Sequence, residues 1–491
     1  MNAISVVNPV TGLELHSLTP FSAAQVALEF ADAKVQQRSW EALGAKERSK
    51  IGSRLADLLA KNADRMMDQL QLETGKSRSH AFEEITGALG AIAYYAKVTP
   101  KLIRRTKVRA GVPVMLSTYT EPQAVGVVGV ITPWNYPLAL TMMDVVPALL
   151  AGNAVVQKAD NQTAKTVMLA RDLAIEAGVP AGIWRVVYGE PAEVGNAVTD
   201  NADYVAFTGS TPTGKIVAER AARRLVGYSL ELGGKNPMIV MPGANLEKAA
   251  EIAIGSAFGN SGQLCVSIER VYVPNHAKQQ FEEILKRRVE SLTIGNSNKF
   301  EFDLGALTST AQINRVSGFI DRAKSEGGRI VTGGRVMTEV GANFYAPTVV
   351  TDLPVGAEIL HKEVFGPLIA LVGYESLDEA VELANDTEFG LNASVVGDPK
   401  QALRLASRLM AGSVNINEGY RATMASMAAP MGGMKQSGMG RRSGPEGLLR
   451  FTESRTIGIA NRTPIGLPNR AKDFKKMAPI MTNLVRLMGK L

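Results

Sequence analysis

The sequence contains one cysteine, Cys265, in the segment FGNSGQLCVSIER (258–270). It follows a glycine-containing turn and precedes a polar segment. Such a setting can expose a thiol, lower its pKa and make the thiolate available as a nucleophile. A buried, unreactive cysteine is the more common alternative when such context is missing. The choice between the two depends on the other candidate residues of the chain.

Glu231 is a candidate general base. It begins ELGGKNP (231–237) at the end of a predicted strand, and the paired glycines that follow let the backbone pass close to a ligand. A carboxylate at a strand end can activate water. It can equally be a charged surface residue, and this string alone does not separate the two.

Two polar side chains follow other predicted strands. Asn135 lies in TPWNYP (132–137), where two prolines fix the loop and would aim an amide at a reacting oxygen. Lys158 ends VVQK, at the edge where open α/β sheets bind ligands. The ordinary alternatives are a turn asparagine and a solvated lysine.

Two further strings have the composition of ligand-binding loops. FTGSTPTG (207–214) places glycines and hydroxyls at a strand-to-helix turn, where helix amides can receive a phosphate. Its spacing is not GxGxxG, so as a dinucleotide motif it is weak. KEVFGP (362–367) holds Glu363 and Phe365 in a loop stiffened by glycine and proline, and alone it indicates little.

The elements that would position these residues alternate between strand and helix. Residues 22–100 have helical periodicity with Gly75 as a stop, and 106–124 have the pattern of an exposed β-hairpin or arm. Strands separated by helices predict right-handed crossovers and a parallel sheet covered on both faces. A second such series begins near 238–241 and ends at about residue 440. The strands of the first series are QAVGVVGVIT (123–132), NAVVQKA (153–159), WRVVYG (184–189), YVAFTGS (204–210) and SLELGG (229–234).

Composition limits the classes of function. With 491 residues, two or three domains are expected, and 45% hydrophobic and 21% charged residues are ordinary for a soluble protein. No apolar run reaches the ~18–20 residues of a membrane helix. The start, MNAISVVNPVTG, lacks the pattern of a secretion signal. One free thiol suits a reducing compartment, so a cytoplasmic protein is expected.

The basic balance is confined to one end of the chain. Of the formal net charge of +7, the residues from Arg462 onward contribute seven cations and one anion, so the body is close to neutral. No nucleic-acid partner is therefore expected. No metal site is expected either, because no ligand spacing connects the four histidines, His16, His80, His276 and His361.

Together, and in this order, the strings resemble the aldehyde dehydrogenase superfamily from about residue 5 to about residue 460. ELGGKNP and GQLC, with 34 residues from Glu231 to Cys265, are the most specific to it. The resemblance implies an α/β fold with a Rossmann-like cofactor domain, an α/β catalytic domain and a small β oligomerisation arm. The expected bounds are 1–105 with 125–234 for the cofactor domain, 235–440 for the catalytic domain, 106–124 with 451–461 for the arm, and 462–491 for a basic amphipathic tail.

The resemblance also implies a mechanism. The Cys265 thiolate adds to an aldehyde carbon, and the Asn135 amide and the Cys265 backbone N–H hold the oxyanion. A hydride leaves to a nicotinamide, and Glu231 activates the water that hydrolyses the resulting thioester. A non-catalytic structural or binding protein of the same fold is an alternative. In that case Cys265 or Glu231 would be expected to be replaced, and both are present.

The cofactor set follows from the same resemblance. Lys158 would bind the adenine-side ribose, Glu363 the nicotinamide-side ribose and Phe365 the nicotinamide ring, with the pyrophosphate at the FTGSTPTG turn. Asn161 stands where members that prefer NAD often carry a glutamate, so NADP is favoured and NAD is possible; the neighbouring Asp160 argues the other way. The full set is Lys158, Asn161, Trp134, Thr208, Gly209, Ser210, Leu232, Glu363 and Phe365.

Within the family, the strings PWNYPLAL, SGQLCVSIER and APMGGMKQSGMGRR resemble the NADP-type succinate-semialdehyde dehydrogenases. Met143 and Gly259 stand where many of these carry arginines for the substrate carboxylate, which leaves Arg421 as the candidate cation. Arg442 stands where many relatives have a glutamate in a proton path. The alternative substrate is an aromatic or medium-chain aldehyde in a tunnel lined by Met142, Met143 and Met431.

The two terminal features concern partners. By the resemblance, the arm joins sheets between subunits, which implies a homodimer or a homotetramer. The tail AKDFKKMAPIMTNLVRLMGKL (471–491) predicts a helix with one apolar and one basic face, started or kinked at Pro479. Two interpretations stay open: the apolar face packs on the enzyme or a neighbouring subunit, or the helix makes a peripheral contact with an anionic membrane.

Overall fold

The computed structural model describes residues 3–111, 116–461 and 471–488. The chain divides into two compact units, Met1–Leu102 with Ala124–Glu453 and Ile103–Gln123 with Ser454–Leu491. Every candidate site residue lies in the first unit. The bounds between the cofactor and catalytic domains stay a prediction.

The helices of the described residues are α1 (Ala23–Ala42), α2 (Ala45–Lys61), α3 (Ala63–Thr74), α4 (Arg78–Leu102), α5 (Pro137–Ala151), α6 (Ala164–Ala177), α7 (Pro191–Asn201), α8 (Thr211–Arg223), α9 (Leu246–Ala257), α10 (Asn275–Glu290), α11 (Thr310–Ser325), α12 (Glu358–His361), α13 (Leu377–Asn385), α14 (Pro399–Ala406), α15 (Arg421–Met424), α16 (Gly444–Leu449) and α17 (Ala471–Met488). Short 3-10 turns lie at Asn161–Thr163 and Gly259–Gly262. The predicted helical region before residue 100 contains α1 to α4, and Gly75 ends α3 in a left-handed conformation, as expected.

The strands of the described residues are β1 (Ile4–Val7), β2 (Glu14–Leu18), β3 (Thr106–Val108), β4 (Leu116–Ala124), β5 (Val127–Ile131), β6 (Ala154–Lys158), β7 (Trp184–Val187), β8 (Tyr204–Thr208), β9 (Gly227–Glu231), β10 (Asn236–Val240), β11 (Ile268–Pro274), β12 (Arg329–Thr332), β13 (Thr348–Thr351), β14 (Leu368–Tyr374), β15 (Phe389–Gly390), β16 (Asn392–Val396), β17 (Ser413–Ile416), β18 (Met434–Lys435), β19 (Gly438–Met439) and β20 (Thr452–Ala460).

The first large sheet has the strand order β19-β9-β8-β5-β6-β7. Its neighbours are parallel, apart from β19, which is antiparallel to β9. Strands β5, β6 and β8 are buried along their whole length, as expected for a sheet covered on both faces. The predicted α/β class is thus confirmed. Because the carboxyl ends of parallel strands meet at one edge, Lys158, Thr208 and Glu231 lie along the same edge.

The second large sheet has the order β12-β13-β14-β11-β10-β16-β17 and is parallel except for the β12–β13 pair. Cys265 precedes β11 and Glu363 precedes the adjacent β14, so both lie at its amino edge. The segment from Glu231 to Lys235 connects the carboxyl end of β9 to the amino end of β10. This connection brings the site-bearing edges of the two sheets together.

Helix α5 carries the Asn135 loop at its start. All of its residues are buried, and it begins with Pro137, whose missing N–H costs nothing at that position. Glu84 Oε1 accepts hydrogen bonds from the backbone N–H groups of Leu138 (2.6 Å) and Ala139 (3.1 Å), and the carboxylate also favours the positive end of the helix dipole. Lys76 Nζ bonds to Glu84 and donates to the Asn135 carbonyl oxygen at 2.8 Å. These contacts fix the loop that holds Asn135.

The second unit contains a three-stranded sheet in the order β20-β4-β3 and the helix α17. Strands β3 and β4 are antiparallel, as the hairpin pattern predicts. The Glu121 carboxylate joins the strands, because it pairs with Arg105 at 2.7 Å and with Arg455 at 3.2 Å. The role of this sheet between subunits stays a prediction.

Helix α17 forms where the amphipathic pattern predicts it, but Pro479 lies inside the helix and does not start it. The end of the predicted tail, from residue 489, lies outside the described residues. Large apolar side chains of α17 are exposed: Phe474, Ile480, Val485 and Leu487. Among residues 3–111, 116–461 and 471–488, no helix is long and apolar enough to cross a membrane.

Candidate active site

Two cavities meet at Cys265 and Asn135, which line both of them. The first has a volume of about 220 Å³ and is called the polar cavity because the carboxylates of Glu231 and Glu363 line it. The second, the methionine cavity, has a volume of about 310 Å³ and is lined by four methionines, Met143, Met424, Met427 and Met431. The prediction of Met142 in this lining is wrong, because its side chain is fully buried elsewhere in α5. The fold therefore brings the three predicted catalytic residues together, with the thiol between two separate binding spaces.

The backbone before Cys265 is bent tightly. Asn260 and Ser261 have positive φ angles of 50° and 55°, and Gly262 follows at 75°. A Cβ atom on Gly262 would lie 2.0 Å from the Gly366 carbonyl oxygen, so only glycine fits there. The Asn236 side-chain amide donates to the Cys265 carbonyl oxygen at 2.8 Å. This turn sets the direction in which the thiol points.

The thiol pKa differs from the expectation. The sequence pattern predicts a lowered pKa, but burial raises the pKa of Cys265 to about 12, and the carboxylates of Glu231 and Glu363 add to the rise. Arg442 opposes the shift. The prediction of a lowered pKa is wrong for the protein alone, because the thiolate would be an anion placed beside two carboxylates in a cavity where Cys265 is only partly exposed. Thiolate formation therefore calls for an added positive charge.

Hydrogen bonds fix both the backbone carbonyl group and the side-chain amide of Asn135. Its carbonyl oxygen accepts from Lys76 Nζ and from Asn260 Nδ2 at 3.0 Å, and its own Nδ2 donates to the Gln263 carbonyl oxygen at 3.0 Å. An amide nitrogen carries two hydrogens, so the second one is available for an oxygen bound beside Cys265. The arrangement suits an oxyanion site made of the Asn135 amide and the Cys265 backbone N–H.

Glu231 ends β9 and faces the polar cavity. Both of its carboxylate oxygens are buried and have no hydrogen-bond partner among the described residues. Burial raises its pKa to about 7, although Arg442 and Arg450 pull in the other direction. A carboxylate in this state is a suitable general base near neutral pH, since it can take a proton and release it again.

Two residues of the loop before β14 also line the polar cavity. Glu363 Oε1 accepts from the Gly234 backbone N–H at 2.9 Å, and burial, with the nearby Glu269 carboxylate, raises its pKa to about 7. Phe365 has a φ of 60°, and its ring meets that of Trp134 edge to face at 5.6 Å. The two rings form an aromatic wall beside Cys265.

The turn from Thr208 to Ser210 leads into α8 along the polar cavity, opposite Leu232. Ser210 is the residue before the helix, and its side chain makes no capping hydrogen bond. The first amides of an α-helix have no partner within the helix, so here they are available to an anion. Thr208, Gly209 and Ser210 thus line the polar cavity at the turn for which the resemblance implies a pyrophosphate, and Leu232 lines the same cavity. Their contact with a cofactor stays a prediction.

Lys158 and Asn161 do not line either cavity. Lys158 is buried, which lowers its pKa, and no carboxylate forms an ion pair with it in the part of the chain that the structure describes. Asn161 exchanges two hydrogen bonds with the backbone of Gly189, at 2.9 and 3.1 Å. Asp160 accepts from the Gln162 backbone N–H at 2.9 Å. Contact of Lys158 and Asn161 with a cofactor stays a prediction.

Arg421, the candidate cation for a substrate carboxylate, is already paired. Its Nε lies 3.2 Å from Glu83 Oε1 and its Nη1 lies 3.9 Å from Glu418 Oε1. The Tyr420 hydroxyl also donates to Glu83, at 2.8 Å. A Cβ atom on Gly259 would lie 2.7 Å from this hydroxyl, so Tyr420 occupies the space that an arginine side chain at position 259 would need.

Arg442 is buried and pairs with Asp144. Its Nε donates to Asp144 Oδ1 at 2.9 Å and its Nη2 donates to Asp144 Oδ2 at 2.6 Å and to Thr208 Oγ1 at 2.5 Å. Burial would lower its pKa, but the Asp144 and Glu231 carboxylates raise it above its ordinary value. Arg442 is therefore a permanent cation and cannot relay protons as a glutamate would.

Sequence reasoning missed several residues that line the two cavities or support them. Gln312 and Arg315 of α11 line the polar cavity, and Glu83 and Tyr420 line the methionine cavity. None of them lies in a recognisable motif. Asp144 directly follows Met143 in an otherwise apolar stretch of the sequence. A carboxylate in a helix that is buried along its length indicates that a cation pairs with it.

The raised thiol pKa predicts how Cys265 reacts with iodoacetamide. Labelling of the protein alone is expected to be slow at pH 7 and to accelerate about tenfold per pH unit up to pH 10, because the thiolate fraction rises in that way below a pKa of about 12. Glu231→Gln removes a negative charge and should speed labelling at each pH. The exposed Glu47→Gln is the matched control. Mass spectrometry follows the single site, and fast labelling that ignores pH would contradict the geometry.

The comparisons with known proteins concern the family and the fold. The model of the aldehyde dehydrogenase family matches residues 1–457. A protein of Mycolicibacterium smegmatis, provisionally named an NADP(+) succinate-semialdehyde dehydrogenase, is 44% identical over 98% of this chain and 94% of its own length. A similarly named protein of Mycobacterium tuberculosis is 44% identical over 98% of this chain and 93% of its length.

Solved structures are similar to this chain as well. An NADP-dependent enzyme of E. coli has a TM-score of 0.89 and 34% identity, covering 94% of this chain and 95% of its own. The NAD+ complex of an aldehyde dehydrogenase from Bacillus cereus has a TM-score of 0.89 and 31% identity, covering 94% of each chain. The chain therefore belongs to the aldehyde dehydrogenase family.

Proposed function

We propose that this enzyme oxidises an aldehyde to a carboxylic acid with NAD(P), through a thioester on Cys265. The observation that carries the proposal is the position of Cys265 and Asn135 between two cavities, with Glu231 in one of them. The methionine cavity presents an aldehyde to one side of the thiol. The polar cavity holds the cofactor and the hydrolytic water on the other side.

The residues of the polar cavity fit a dinucleotide. The free amides at the start of α8 suit the pyrophosphate, the Glu363 carboxylate suits ribose hydroxyls, and the Trp134–Phe365 wall suits the nicotinamide ring. Bound there, the oxidised nicotinamide supplies a positive charge and accepts a hydride. This charge would favour ionisation of the Cys265 thiol, which burial and then the two carboxylates oppose.

The steps on the protein follow from the geometry. The Cys265 thiolate forms a bond to the aldehyde carbon, and the oxyanion accepts hydrogen bonds from the Asn135 amide and the Cys265 N–H. Loss of the hydride leaves a thioester. Water then adds to the acyl carbon while its proton passes to Glu231, the carbon–sulfur bond breaks, and Cys265 leaves as a thiolate. Glu231 returns the proton to solvent before the next cycle.

We favour NADP as the cofactor, with NAD possible. The two relatives above carry NADP(+) in their names. The neutral Asn161 supports the same choice, because a carboxylate at that position would repel a 2′-phosphate. The Asp160 carboxylate, which is next to Asn161 in the chain, accepts a hydrogen bond from the Gln162 backbone N–H. The NAD+ complex of the Bacillus cereus enzyme keeps NAD among the cofactors to be assayed.

Succinate semialdehyde is the first substrate to consider, because it is in the names of these relatives. A second candidate, an uncharged aromatic or medium-chain aldehyde, is favoured by a specific observation. The methionine cavity is mostly apolar, and Arg421 in it is paired with Glu83 and Glu418. A substrate carboxylate would have to displace one of these carboxylates, which an uncharged aldehyde need not do.

The enzyme is expected to function as a homodimer or homotetramer joined by the arm. Strand β20 is at the edge of the β20-β4-β3 sheet and is largely exposed, so its backbone can pair with another strand. For α17, the exposed apolar side chains next to Lys472, Lys475 and Lys476 support a peripheral contact with an anionic membrane. Packing against a second subunit is the competing explanation.

Glu231→Gln should separate the two halves of catalysis. The variant is expected to release about one reduced cofactor per active site in a burst and then to turn over at least about 100-fold more slowly, since the general base of the second half is missing. Stopped-flow absorbance of the reduced cofactor measures both phases. Loss of the burst together with turnover would show that Glu231 acts before the thioester.

Matched aldehydes should identify the substrate class. The pairs are succinate semialdehyde with its methyl ester and 4-carboxybenzaldehyde with benzaldehyde, each assayed for kcat/KM with NADP and with NAD. If Arg421 receives a carboxylate, Arg421→Gln should lower kcat/KM about 10- to 100-fold for the charged member alone. If the apolar lining of the methionine cavity sets the substrate preference, the unmodified enzyme should have the higher kcat/KM for the uncharged members. Arg421→Gln should then change kcat/KM equally for both members of a pair.

Removal of the tail after residue 465 should test the membrane contact. If the tail is a membrane anchor, the full chain should sediment with phosphatidylserine vesicles at low salt, and the truncated chain should stay in solution with unchanged kcat and thermal stability. Lys475→Glu with Lys476→Glu is the matched control, since it keeps the apolar face and should also abolish sedimentation. A full chain that ignores the vesicles, with a truncation that splits the oligomer, would assign the tail to subunit packing.

A further inference from the structure

A buried cluster of charges lies beside Glu231. Asp144 binds Arg442 through both carboxylate oxygens, and Arg450 Nη2 donates to Asp144 Oδ1 at 2.5 Å. The same Arg450 donates to Ser229 Oγ at 2.9 Å, two residues before Glu231 in β9. The side chains of Arg442, Arg450 and Asp144 are all at most 8% exposed. Solvent therefore does little to screen this cluster.

The cluster contains two cations and one anion, so it carries one unbalanced positive charge. An unbalanced charge in a buried site is costly, and its cost falls when an anion lies nearby. Glu231 is suited to supply that anion, because both of its oxygens are buried without a hydrogen-bond partner among the described residues. Ionised, it neutralises the cluster; protonated, it leaves the cluster unbalanced.

The fold holds the cluster close to Glu231. Thr208, whose hydroxyl accepts from Arg442, pairs in register with Glu231 across the β8–β9 ladder. On the other side of β9, Gly438 of β19 pairs with Glu231, and the chain continues from there to Arg442. The Arg442 backbone is fixed by two hydrogen bonds of 2.6 Å to Met431, which lines the methionine cavity. Arg442 is thus anchored to both sides of the site.

We propose that Arg442, clamped by Asp144, is a positioning residue whose charge keeps the buried Glu231 ionised, so that the Asp144–Arg442–Arg450 cluster sets the pH above which the thioester is hydrolysed. The inference rests on the proposed function, in which Glu231 activates water. Burial raises the pKa of Glu231, whereas Arg442 and Arg450 lower it, and the balance leaves the pKa at about 7. When Glu231 takes a proton from water, the cluster becomes unbalanced again, which favours release of that proton.

Other charged groups near Glu231 do not replace this cluster. Helix α8 packs on β9, but its Lys215 donates a hydrogen bond to Gln436 and its Arg220 donates one to Asp200. The Cys265 thiol is neutral at rest, given a pKa of about 12. The charged and titratable groups with the largest effect on the pKa of Glu231 are Arg442, Arg450, Asp144 and Arg441. Cys265, Glu363 and Arg315 line the same cavity as Glu231.

The test is the pH dependence of the slow phase that follows the cofactor burst, which reports thioester hydrolysis. In the unmodified enzyme its rate should rise through a midpoint near pH 7. Arg442→Gln keeps hydrogen-bond donors but removes the charge, and should raise the midpoint by about one pH unit, which is about fivefold slower at pH 7. Arg442→Lys keeps the charge and should restore the midpoint. A purely structural role would lower the rate at every pH without moving the midpoint.

A second variant moves the midpoint in the opposite direction. Asp144→Asn leaves the cluster with two unbalanced cations and should lower the midpoint, again by about one pH unit. It decides the question if Arg442→Gln does not fold, and Arg450→Gln, which should raise the midpoint, is the third choice. An unchanged midpoint in a folded charge variant that still shows the burst overturns the inference and leaves the proposed function intact. Failure of the unmodified enzyme to reduce either NADP or NAD with any of the aldehydes contradicts the proposed function itself.

Discussion

Two acidic groups, Glu231 and Cys265, share one enclosed space in this enzyme, and the rest of the site is arranged around that constraint. Burial raises the pKa of the carboxyl to about 7 and that of the thiol to about 12, and the Glu231 charge contributes to the second shift. Two neighbouring anions without solvent are strongly disfavoured. Each group therefore needs a positive charge of its own. Arg442 supplies a permanent positive charge near Glu231. Under the proposed function, a bound oxidised nicotinamide would supply a positive charge to the thiol.

The scaffold meets this need by joining two parallel sheets through the segment after Glu231. One sheet contributes its carboxyl edge and the other its amino edge, so residues far apart in sequence lie around a single thiol. Helix α5 then connects the two cavities, because Asn135 lies in the loop directly before it and Met143 and Asp144 lie in its middle. The buried pair of Lys76 and Glu84 holds the start of that helix in place. The methionine cavity, the Asn135 loop and the charge cluster are thus connected through one helix.

Much of this could be predicted from the sequence because it is local. Buried strands, the stop at Gly75 and the strings around Cys265, Glu231 and Asn135 each need only a few neighbouring residues to be recognised. Properties that depend on distant partners could not be predicted. The rise of the thiol pKa depends first on burial by the fold and then on Glu231 and Glu363, which lie 34 and 98 positions away in the chain.

Pairings between distant charges were hidden for the same reason. Arg421 looks like a free cation in the sequence, and only the fold shows Glu83 beside it. Asp144 and Arg442 are separated by 298 positions, and neither string indicates the other. A single sequence contains the residue types of such pairs but not their adjacency, so charge balance inside the site had to come from the structure.

The account depends most on the covalent thioester at Cys265, and intact-mass spectrometry of acid-quenched enzyme tests it directly. Unmodified enzyme mixed with aldehyde and NADP and quenched during the first turnover should gain the mass of one acyl group. Digestion should place that mass on the peptide that contains Cys265. Formation of one reduced cofactor per site without any gain in protein mass would contradict the account, because the aldehyde would then be oxidised without becoming attached to the enzyme.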